Sequence, residues 1–347
     1  MYDIKKAIYY RVMGSSSSEK PVEAVPLLDP ETAGARWRWW ATERPPPAWA
    51  MFSTLLGGIV TDPTWMVAPM DDHLVHRGDG VFETLRCVAG ALYGWEAHLN
   101  RLEHSAEAVA LRLPLSRREL TEVVIATVRA AGQREAAVRV LVSRGPGGFG
   151  ISPLECPAPQ VYVIVYPCGK PFMELHPEGA RVRTSAVPMK PGLLATAKTC
   201  NYLPNALMKL EAASAGVDFT VTFDEHGHLG EGATENFAIV DRNGDLRVPS
   251  SERILAGVTM TRVAALAARD PARCGLRTVR EGPITRADVV AARELLIFST
   301  TIEVASAVEL DGRPIGDGQP GPVAAALRNR LREDMLKGRE WRRPVWE

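Results

Sequence analysis

Two hydrophobic periodicities alternate along the chain from about residue 51. The segment GALYGWEAHLNRLEHSAEAVAL, residues 90–111, runs from a short apolar stretch into a pattern with three- and four-residue spacing. Such spacing places apolar side chains on one face of a helix. The segment therefore predicts a short strand followed by an amphipathic helix, with one apolar face formed by Leu99, Leu102, Ala106, Val109 and Ala110.

Runs rich in β-branched and aromatic residues predict strands on both sides of this chain's midpoint. AAVRVLVSRG and QVYVIVYP belong to a first set, and ARVRTSAV, DFTVTFD, ENFAIVDRNGDLRVP and ELLIFST to a second. Asn243-Gly244 suits the turn of a hairpin. Helical stretches are predicted after Asn201, Gly257 and Pro320. The result is a mixed α/β (α+β) chain rather than a regular βαβ repeat.

The distribution of Pro, Gly and Ser suggests where domains begin and end. PCGKPFMELHPEG, residues 167–179, is expected to be an interdomain loop between a small α/β domain at 51–166 and a larger domain at 180–347. Residues 1–50 contain GSSSS, RWRWW and RPPPAW, and predict a partly flexible N-terminal extension whose aromatic side chains lie on the main body. The alternative is an aromatic and basic cluster that binds nucleic acid or a membrane.

Composition narrows the class of protein. The 347 residues are 46% hydrophobic and 24% charged, with 41 basic and 41 acidic side chains. This balance gives no reason to expect a nucleic-acid partner. No apolar run approaches the roughly 18 residues of a membrane span, and the N-terminus lacks the pattern of a secretory signal. Five scattered cysteines without a C-x-x-C pair predict a reduced, cytoplasmic protein without structural zinc.

Lys198 is unusual in its surroundings. It lies in ATAKTCNYLPNAL, residues 195–207, among small residues and with no carboxylate within ten positions on either side. A lysine desolvated in this way has a lowered pKa and can form a Schiff base with an aldehyde. The alternative is a buried amine that pairs with an acid distant in sequence.

Three later segments carry candidate polar groups. In HLGEGATENFAIV, Glu231 lies between a β-turn and a strand, where a carboxylate can face a cationic ring nitrogen or simply water. In ILAGVTMTRVAAL, Gly257 and the two residues after it open a helix, whose free N–H groups and dipole attract a phosphate. In LLIFSTTIEVASAV, two threonines after a strand offer donors to the same phosphate. An ordinary helix start and an ordinary strand end are the alternatives.

Two other segments resemble a nucleotide-binding loop and a metal site, but neither has the required pattern. RGPGGFG has the wrong spacing for a nucleotide-binding loop and joins two β-rich runs without a following helix. HLVH and HGH offer imidazole nitrogens, but no third or fourth metal ligand is nearby in sequence. No metal site is predicted.

The order of these motifs along the chain resembles that in the fold-type IV enzymes that depend on pyridoxal 5'-phosphate. The motifs are the lysine, the acid of E-G-x-x-x-N, the helix-opening G-V-T and the strand-ending S-T-T. This family holds branched-chain aminotransferases, D-amino-acid aminotransferases and aminodeoxychorismate lyases. The similarity covers about residues 55–335 and includes HRGDGVFETLR, HLNRLEHSA, KTCNYLPNAL and FSTTIEV. It implies a two-domain fold, with a small N-terminal α/β domain and a larger C-terminal domain with a barrel-like β core.

The resemblance also assigns roles by position. Lys198 resembles the Schiff-base lysine, Glu231 the partner of the pyridine nitrogen, and Tyr202 the tyrosine near the cofactor's 3-oxygen. The lysine-to-asparagine spacing is one residue shorter than in typical branched-chain enzymes and resembles that of the D-amino-acid and lyase branches instead. The residues expected to hold the phosphate are Arg101, Val258, Thr259 and Thr301.

Substrate residues follow less directly from the resemblance. Arg139 lies where branched-chain enzymes carry an arginine near the substrate carboxylate, and Phe82 and Arg86 are expected in the pocket wall. The Arg-x-His pair of bacterial D-amino-acid aminotransferases would fall at Phe149 and Ile151, so this chain lacks it. Several segments nevertheless resemble plant-type members, which include D-amino-acid aminotransferases. The preference for L- or D-amino acids stays open.

The family implies transamination between an amino acid and a 2-oxo acid. An aminodeoxychorismate lyase that releases pyruvate and 4-aminobenzoate is the alternative on the same scaffold, and a non-catalytic binding protein is a remote one. The family also implies a homodimer, since the small domain of one subunit commonly helps to form its partner's site. The sequence itself shows no oligomer signal.

Overall fold

The computed structural model describes residues 25–43 and 48–346. The chain divides into two compact units, residues 1–45 and 46–347. The GSSSS run and most of RPPPAW lie outside the described residues.

The described part of the chain contains ten α-helices and fifteen strands. The helices are α1 (Pro30–Thr42), α2 (His73–Arg77), α3 (Trp95–Ala108), α4 (Arg117–Ala131), α5 (Phe172–Leu175), α6 (Leu193–Thr196), α7 (Leu203–Ala215), α8 (Val258–Arg269), α9 (Arg286–Ala291) and α10 (Pro322–Lys337). The strands are β1 (Ala50–Ser53), β2 (Gly58–Val60), β3 (Gly80–Val88), β4 (Ala91–Tyr93), β5 (Ala136–Ser143), β6 (Gln160–Tyr166), β7 (Ala180–Thr184), β8 (Phe219–Val221), β9 (Asn236–Val240), β10 (Asp245–Val248), β11 (Thr278–Glu281), β12 (Glu294–Ser299), β13 (Glu303–Leu310), β14 (Arg313–Pro314) and β15 (Arg342–Pro344).

The first unit contributes one described helix. Asp29 caps α1 by accepting a hydrogen bond from the Thr32 amide, and Pro30 occupies the first turn, where its missing N–H costs nothing. Trp37 and Trp40 stack on each other with ring centroids 5.0 Å apart. The predicted extension therefore contains a helix in its RWRWW segment. The predicted packing of its aromatic side chains on the main body stays a prediction.

In the second unit, one sheet has seven strands in the order β15-β4-β3-β5-β6-β1-β2. Adjacent strands of this sheet all pair antiparallel. Helix α3 packs on β3 and α4 packs on β1 and β6, which buries an aliphatic core. The strand β15 comes from the C-terminal end of the chain, although residues before 166 form the rest of this sheet. The domain boundaries expected from sequence stay a prediction.

The other sheet has eight strands in the order β11-β10-β9-β12-β13-β7-β8, with β14 beside β13. It is mixed, because β10 and β11, β13 and β7, and β7 and β8 pair parallel. Helices α8 and α10 bury one apolar core against it, and a second core lies around β7, β9 and β12. The β9–β10 hairpin turns at Gly244, whose φ of +83° needs a residue without a Cβ.

Most strands and helices expected from sequence are present, and the apolar face of α3 is largely confirmed. Leu99, Leu102 and Ala106 are buried against the sheet. The expectation for Ala110 is wrong: it lies beyond the helix end, is exposed and has φ of +49°. The helix stops at Ala108 because the chain turns there through backbone hydrogen bonds to Ala106 and Glu107, which a continuous pattern does not reveal.

None of the helices in the described residues is both long enough and apolar enough to cross a membrane.

Candidate active site

Strand β3 divides its side chains between the core and a pocket, because successive residues of a strand point to opposite faces. Val81 and Leu85 belong to the apolar core beneath α3, and Glu83 shares their face. Phe82 and Thr84 point to the other side and line a pocket. A carboxylate is thus placed in an otherwise apolar layer.

Glu83 is 1% exposed and is bound by two residues of α3. Its Oε1 and Oε2 accept hydrogen bonds from Arg101 Nε at 2.7 Å and Nη2 at 2.8 Å, and His98 Nδ1 lies 2.7 Å from Oε2. Burial alone would raise the pKa of Glu83, but the Arg101 charge and hydrogen bonds outweigh it and lower that pKa to about 2. The carboxylate is therefore ionised and fixes the guanidinium.

The remaining guanidinium nitrogen of Arg101 reaches the loop ahead of α8. Its Nη1 donates to the Ala256 carbonyl at 2.9 Å. Asn236 Nδ2 donates to the Leu255 carbonyl at 3.0 Å, and a Cβ on Gly257 would overlap the Asn236 amide. A side chain at the position where α8 begins would therefore displace the Asn236 amide from this bond. Arg101 is brought beside the first turn of α8, which contains the predicted Val258 and Thr259, both buried.

No side chain among the described residues caps the N-terminus of α8. The first amides of a helix have no intrahelical acceptor, and the helix dipole adds partial positive charge there. Together with the Arg101 guanidinium they form a cationic environment that suits a phosphate.

Lys198 follows the short helix α6 and is held through its backbone. Its amide donates to Ser105 Oγ at 2.9 Å, and its carbonyl accepts from the Phe82 amide at 3.0 Å. Lys198 Nζ donates to Tyr202 Oη at 2.9 Å and lies 4.5 Å from the centroid of the Phe82 ring. The predicted lysine, tyrosine and phenylalanine therefore meet in one place.

The surroundings of Lys198 favour its neutral form. Burial and then the positive charge of Arg101 lower its pKa to about 8, against smaller opposing contributions from Glu83 and Glu231. An ordinary lysine side chain titrates near 10.4, so a much larger fraction of this amine is neutral near pH 8. A neutral amine is the form that attacks an aldehyde.

Glu231 lies on the isolated bridge with Asn236, ahead of β9. Its Oε2 accepts from the Leu255 amide at 3.1 Å, and its Oε1 lies 3.7 Å from Lys190 Nζ. Thr222 Oγ1 holds the Glu231 backbone, because it donates to the Glu231 carbonyl and accepts from the Glu231 amide. Burial raises the pKa of this carboxyl, although Lys190 and the Leu255 amide oppose the rise. Lys190 is therefore the nearest charged partner of Glu231 among the described residues.

A pocket of about 570 Å³ opens above Lys198. Thr301 lines it together with its neighbours Ser299 and Thr300 at the end of β12. The other lining residues are Leu74, Phe82, Thr84, Arg139, Leu141, Tyr166, Lys198, Cys200, Tyr202 and Thr234. Its wall combines five aromatic or aliphatic residues with Cys200 and seven threonine, serine, arginine or lysine residues.

The two predicted arginines of the substrate region lie in different places. Arg139 lines the pocket, where its guanidinium carbon lies 5.5 Å from the Phe82 ring and 5.6 Å from the Tyr166 ring. Arg86 is not among the lining residues; its Nη1 instead binds Glu303 Oε1 at 2.6 Å. Its expected place in the pocket wall stays a prediction without geometric support.

Sequence reasoning did not single out Glu83, Lys190 or Ser105. Glu83 carries a usable signal, because GVFETLRCV places a charged residue on the apolar face of a strand pattern. Ser105 and Lys190 carry none, since the contacts that make them relevant join segments 93 and 41 residues apart.

Comparison with known proteins identifies the family of this chain. The family model "Amino-transferase class IV" matches residues 80–310. The chain belongs to the class IV aminotransferase family. It is 38% identical over 83% of its length to a chloroplastic D-amino-acid transaminase of Arabidopsis thaliana, and 77% of that relative is covered. A putative branched-chain-amino-acid aminotransferase of Methanocaldococcus jannaschii is 34% identical over 77% of this chain and 90% of the relative.

Solved structures of class IV aminotransferases share the fold. A T.th. branched-chain amino acid aminotransferase, in complex with pyridoxamine 5'-phosphate, has a TM-score of 0.79 and 29% identity, covering 86% of this chain and 99% of that one. The chain is therefore a mixed α/β, fold-type IV aminotransferase that depends on pyridoxal phosphate. The predicted family, enzyme class and cofactor are confirmed, and the lyase alternative is not favoured.

The residues present fit pyridoxal phosphate. The half-buried Lys198 amine of lowered pKa matches an aldehyde, the cationic start of α8 matches a phosphate, and the carboxylate of Glu231 matches a protonated ring nitrogen.

We expect Glu83→Gln to lower the free energy of unfolding at pH 7 by roughly 3–5 kcal/mol, because Arg101 loses the carboxylate that compensates its buried charge. The folded pKa of about 2 lies below the ordinary value of 4.5, so the carboxylate stabilises the fold above pH 4.5 and this contribution is lost as the pH falls towards 2. Urea denaturation at pH 7, 5 and 3 measures the difference, which should shrink with acid.

Glu103→Gln, on the exposed side of the same helix, is the control and should cost less than about 1 kcal/mol. A difference between wild type and Glu83→Gln that does not change between pH 7 and 3 would contradict the ion pair.

Proposed function

We propose that Lys198 is the catalytic residue of this aminotransferase, and that Arg101, Tyr202, Glu231, Val258, Thr259 and Thr301 hold the cofactor around it. The observation that carries the proposal is the Lys198 amine, which points into the pocket with a lowered pKa and Tyr202 as its hydrogen-bond partner. Arg101 and the α8 N-terminus would bind the phosphate, and Glu231 would face the ring nitrogen.

Pyridoxal phosphate supplies the electron sink that makes the substrate Cα proton acidic. Lys198 Nζ, when neutral, accepts that proton and is positioned to return one. Tyr202 Oη orients the amine, because it accepts the Nζ hydrogen bond at 2.9 Å. The apolar wall formed by Phe82 excludes water from this side of Nζ. The products are a 2-oxo acid and an aminated cofactor, and a second 2-oxo acid reverses the sequence.

Lys198→Ala is expected to reduce transaminase turnover by at least roughly 10²-fold, because it removes the base that moves the Cα proton. Lys190→Ala is the matched control, since it removes the other amine beside Tyr202 and Glu231 and should leave measurable turnover. Stopped-flow and steady-state rates with the same amino donor compare the two. Ordinary turnover in Lys198→Ala, or loss of turnover only in Lys190→Ala, would remove Lys198 from the proposed role.

The pocket supports an amino donor with an apolar side chain. Phe82, Leu141 and Tyr166 form its wall, and Arg139 is available for the substrate carboxylate. An aromatic and aliphatic wall binds apolar side chains by removing their surface from water.

The two classes of relatives suggest different substrates. The D-amino-acid transaminase of Arabidopsis thaliana, at 38% identity, suggests D-amino acids. The branched-chain enzymes suggest L-leucine, L-isoleucine and L-valine as the second candidate.

We expect a D-amino acid with an apolar side chain to give the fastest half-reaction. The measurement mixes the cofactor-loaded protein with matched D- and L-amino acids and follows the loss of the cofactor's absorption band near roughly 410–430 nm. Faster loss with L-leucine or L-valine would assign the branched-chain specificity instead. A band that no amino acid bleaches would contradict transamination and bring the lyase alternative forward.

We also propose a homodimer in the cytoplasm. Phe149, Ile151 and Leu154 follow β5 and are 69%, 85% and 93% exposed. Apolar side chains grouped on one exposed segment are typical of an interface. All five cysteines, which lie in the described ranges, are free, as is usual in a reducing compartment.

Sedimentation equilibrium should give twice the chain mass of 37.8 kDa. Ile151→Asp should shift the protein towards a monomer, because it places a charge in the buried interface. Glu107→Ala, on the exposed face of α3, is the control and should stay dimeric. A wild-type protein that sediments as a monomer would contradict the proposal.

A further inference from the structure

The turn between β12 and β13 has an unusual backbone. Ser299 pairs with Glu303 across the hairpin, so that residues 300–302 form a three-residue turn. Glu303 has φ of +67°, in the left-handed region. Three-residue hairpins commonly place a glycine at such a position, because a Cβ is disfavoured there. A glutamate therefore needs an additional constraint to stay in this conformation.

Two arginines from different parts of the second unit supply that constraint. Glu303 Oε1 accepts from Arg86 Nη1 at 2.6 Å, and Oε2 accepts from Arg332 Nε at 2.5 Å. Arg86 belongs to β3 of the seven-stranded sheet, whereas Arg332 belongs to α10. Glu303 is 2% exposed, so these charge-assisted bonds are only weakly screened by water.

The turn that Glu303 closes belongs to the pocket that contains Lys198. Ser299, Thr300 and Thr301 all line this pocket. Thr301 is exposed, and the local bond from the Ile302 amide to Ser299 Oγ is 3.3 Å long. Burial therefore does not fix Thr301, and the orientation of its donors depends on the residue that ends the turn.

We propose that Glu303, held by Arg86 and Arg332, is a positioning residue that orients the Thr300–Thr301 turn towards the cofactor phosphate. This rests on the proposed function, in which Thr301 binds that phosphate. In this proposal Arg86 differs from the pocket-wall residue expected from sequence. It acts on the site through Glu303, from the seven-stranded sheet to a turn of the eight-stranded sheet.

The test is the preference of the cofactor-free protein for pyridoxal phosphate over pyridoxal, which lacks the phosphate. Spectral titration gives a dissociation constant for each, and their ratio reports contacts to the phosphate alone. Glu303→Gln should reduce this ratio by roughly tenfold, since a misdirected turn that loses one charge-assisted hydrogen bond to the phosphate has about that effect on a binding constant. A glycine at position 303 adopts the left-handed backbone without a steric cost. Glu303→Gly is therefore the variant to use if Glu303→Gln does not fold. It should reduce the ratio as well, because it also removes the carboxylate.

Asp245→Asn is the matched control. Asp245 is also 2% exposed and is also bound by two arginines, Arg277 and Arg280, but it lies on β10 and does not line the pocket. Its substitution should leave the ratio unchanged.

The remaining outcomes separate the inference from the proposed function. Glu303 variants that keep the wild-type ratio, or that weaken pyridoxal and pyridoxal phosphate equally, would overturn the positioning role. In the second case Glu303 would only support the fold. A wild-type protein that binds both compounds equally well would contradict the proposed phosphate site, and the inference with it.

Discussion

The site depends on one buried carboxylate. Glu83 lies in the apolar layer between β3 and α3, where an unpaired charge would be very unfavourable. The bidentate bond from Arg101 compensates it and at the same time sets the direction of the guanidinium. The third nitrogen can then reach the loop before α8. Glu83 of the seven-stranded sheet thus directs the Arg101 guanidinium to the N-terminus of α8, which packs on the eight-stranded sheet.

The same electrostatics account for the state of Lys198. Arg101 and burial both disfavour its protonated form, while its backbone is fixed by Ser105 and by the Phe82 amide. A family that uses a lysine as nucleophile and base needs a firmly oriented amine whose pKa lies close to the working pH. Tyr202 and Phe82 provide the orientation, and the amine stays available because its hydrogen bond is to a hydroxyl rather than to a carboxylate.

Two other carboxylates join separate segments around the pocket. Glu303 joins β3, α10 and the turn after β12, and Glu231 connects the loop before α8 to Lys190. Glu303 is buried and Glu231 is partly buried, and each is paired with a cationic side chain. Such pairs contribute little net stability compared with apolar packing, but removing one partner leaves a buried charge uncompensated and is strongly destabilising.

The sequence by itself determined the fold class, the family, the cofactor and the position of Lys198, because periodicity and ordered local motifs are properties of short segments. It also located the helix after Gly257 and the hairpin at Asn243-Gly244, where the left-handed backbone of Gly244 favours glycine. Only the tertiary structure decided that Arg86 binds Glu303, and that Glu83, rather than a neighbour in sequence, holds Arg101. Arg86 and Glu303 are 217 positions apart in the sequence, and Glu83 and Arg101 are 18 positions apart. Their geometry arises only when β3 packs against both α3 and the β12–β13 turn.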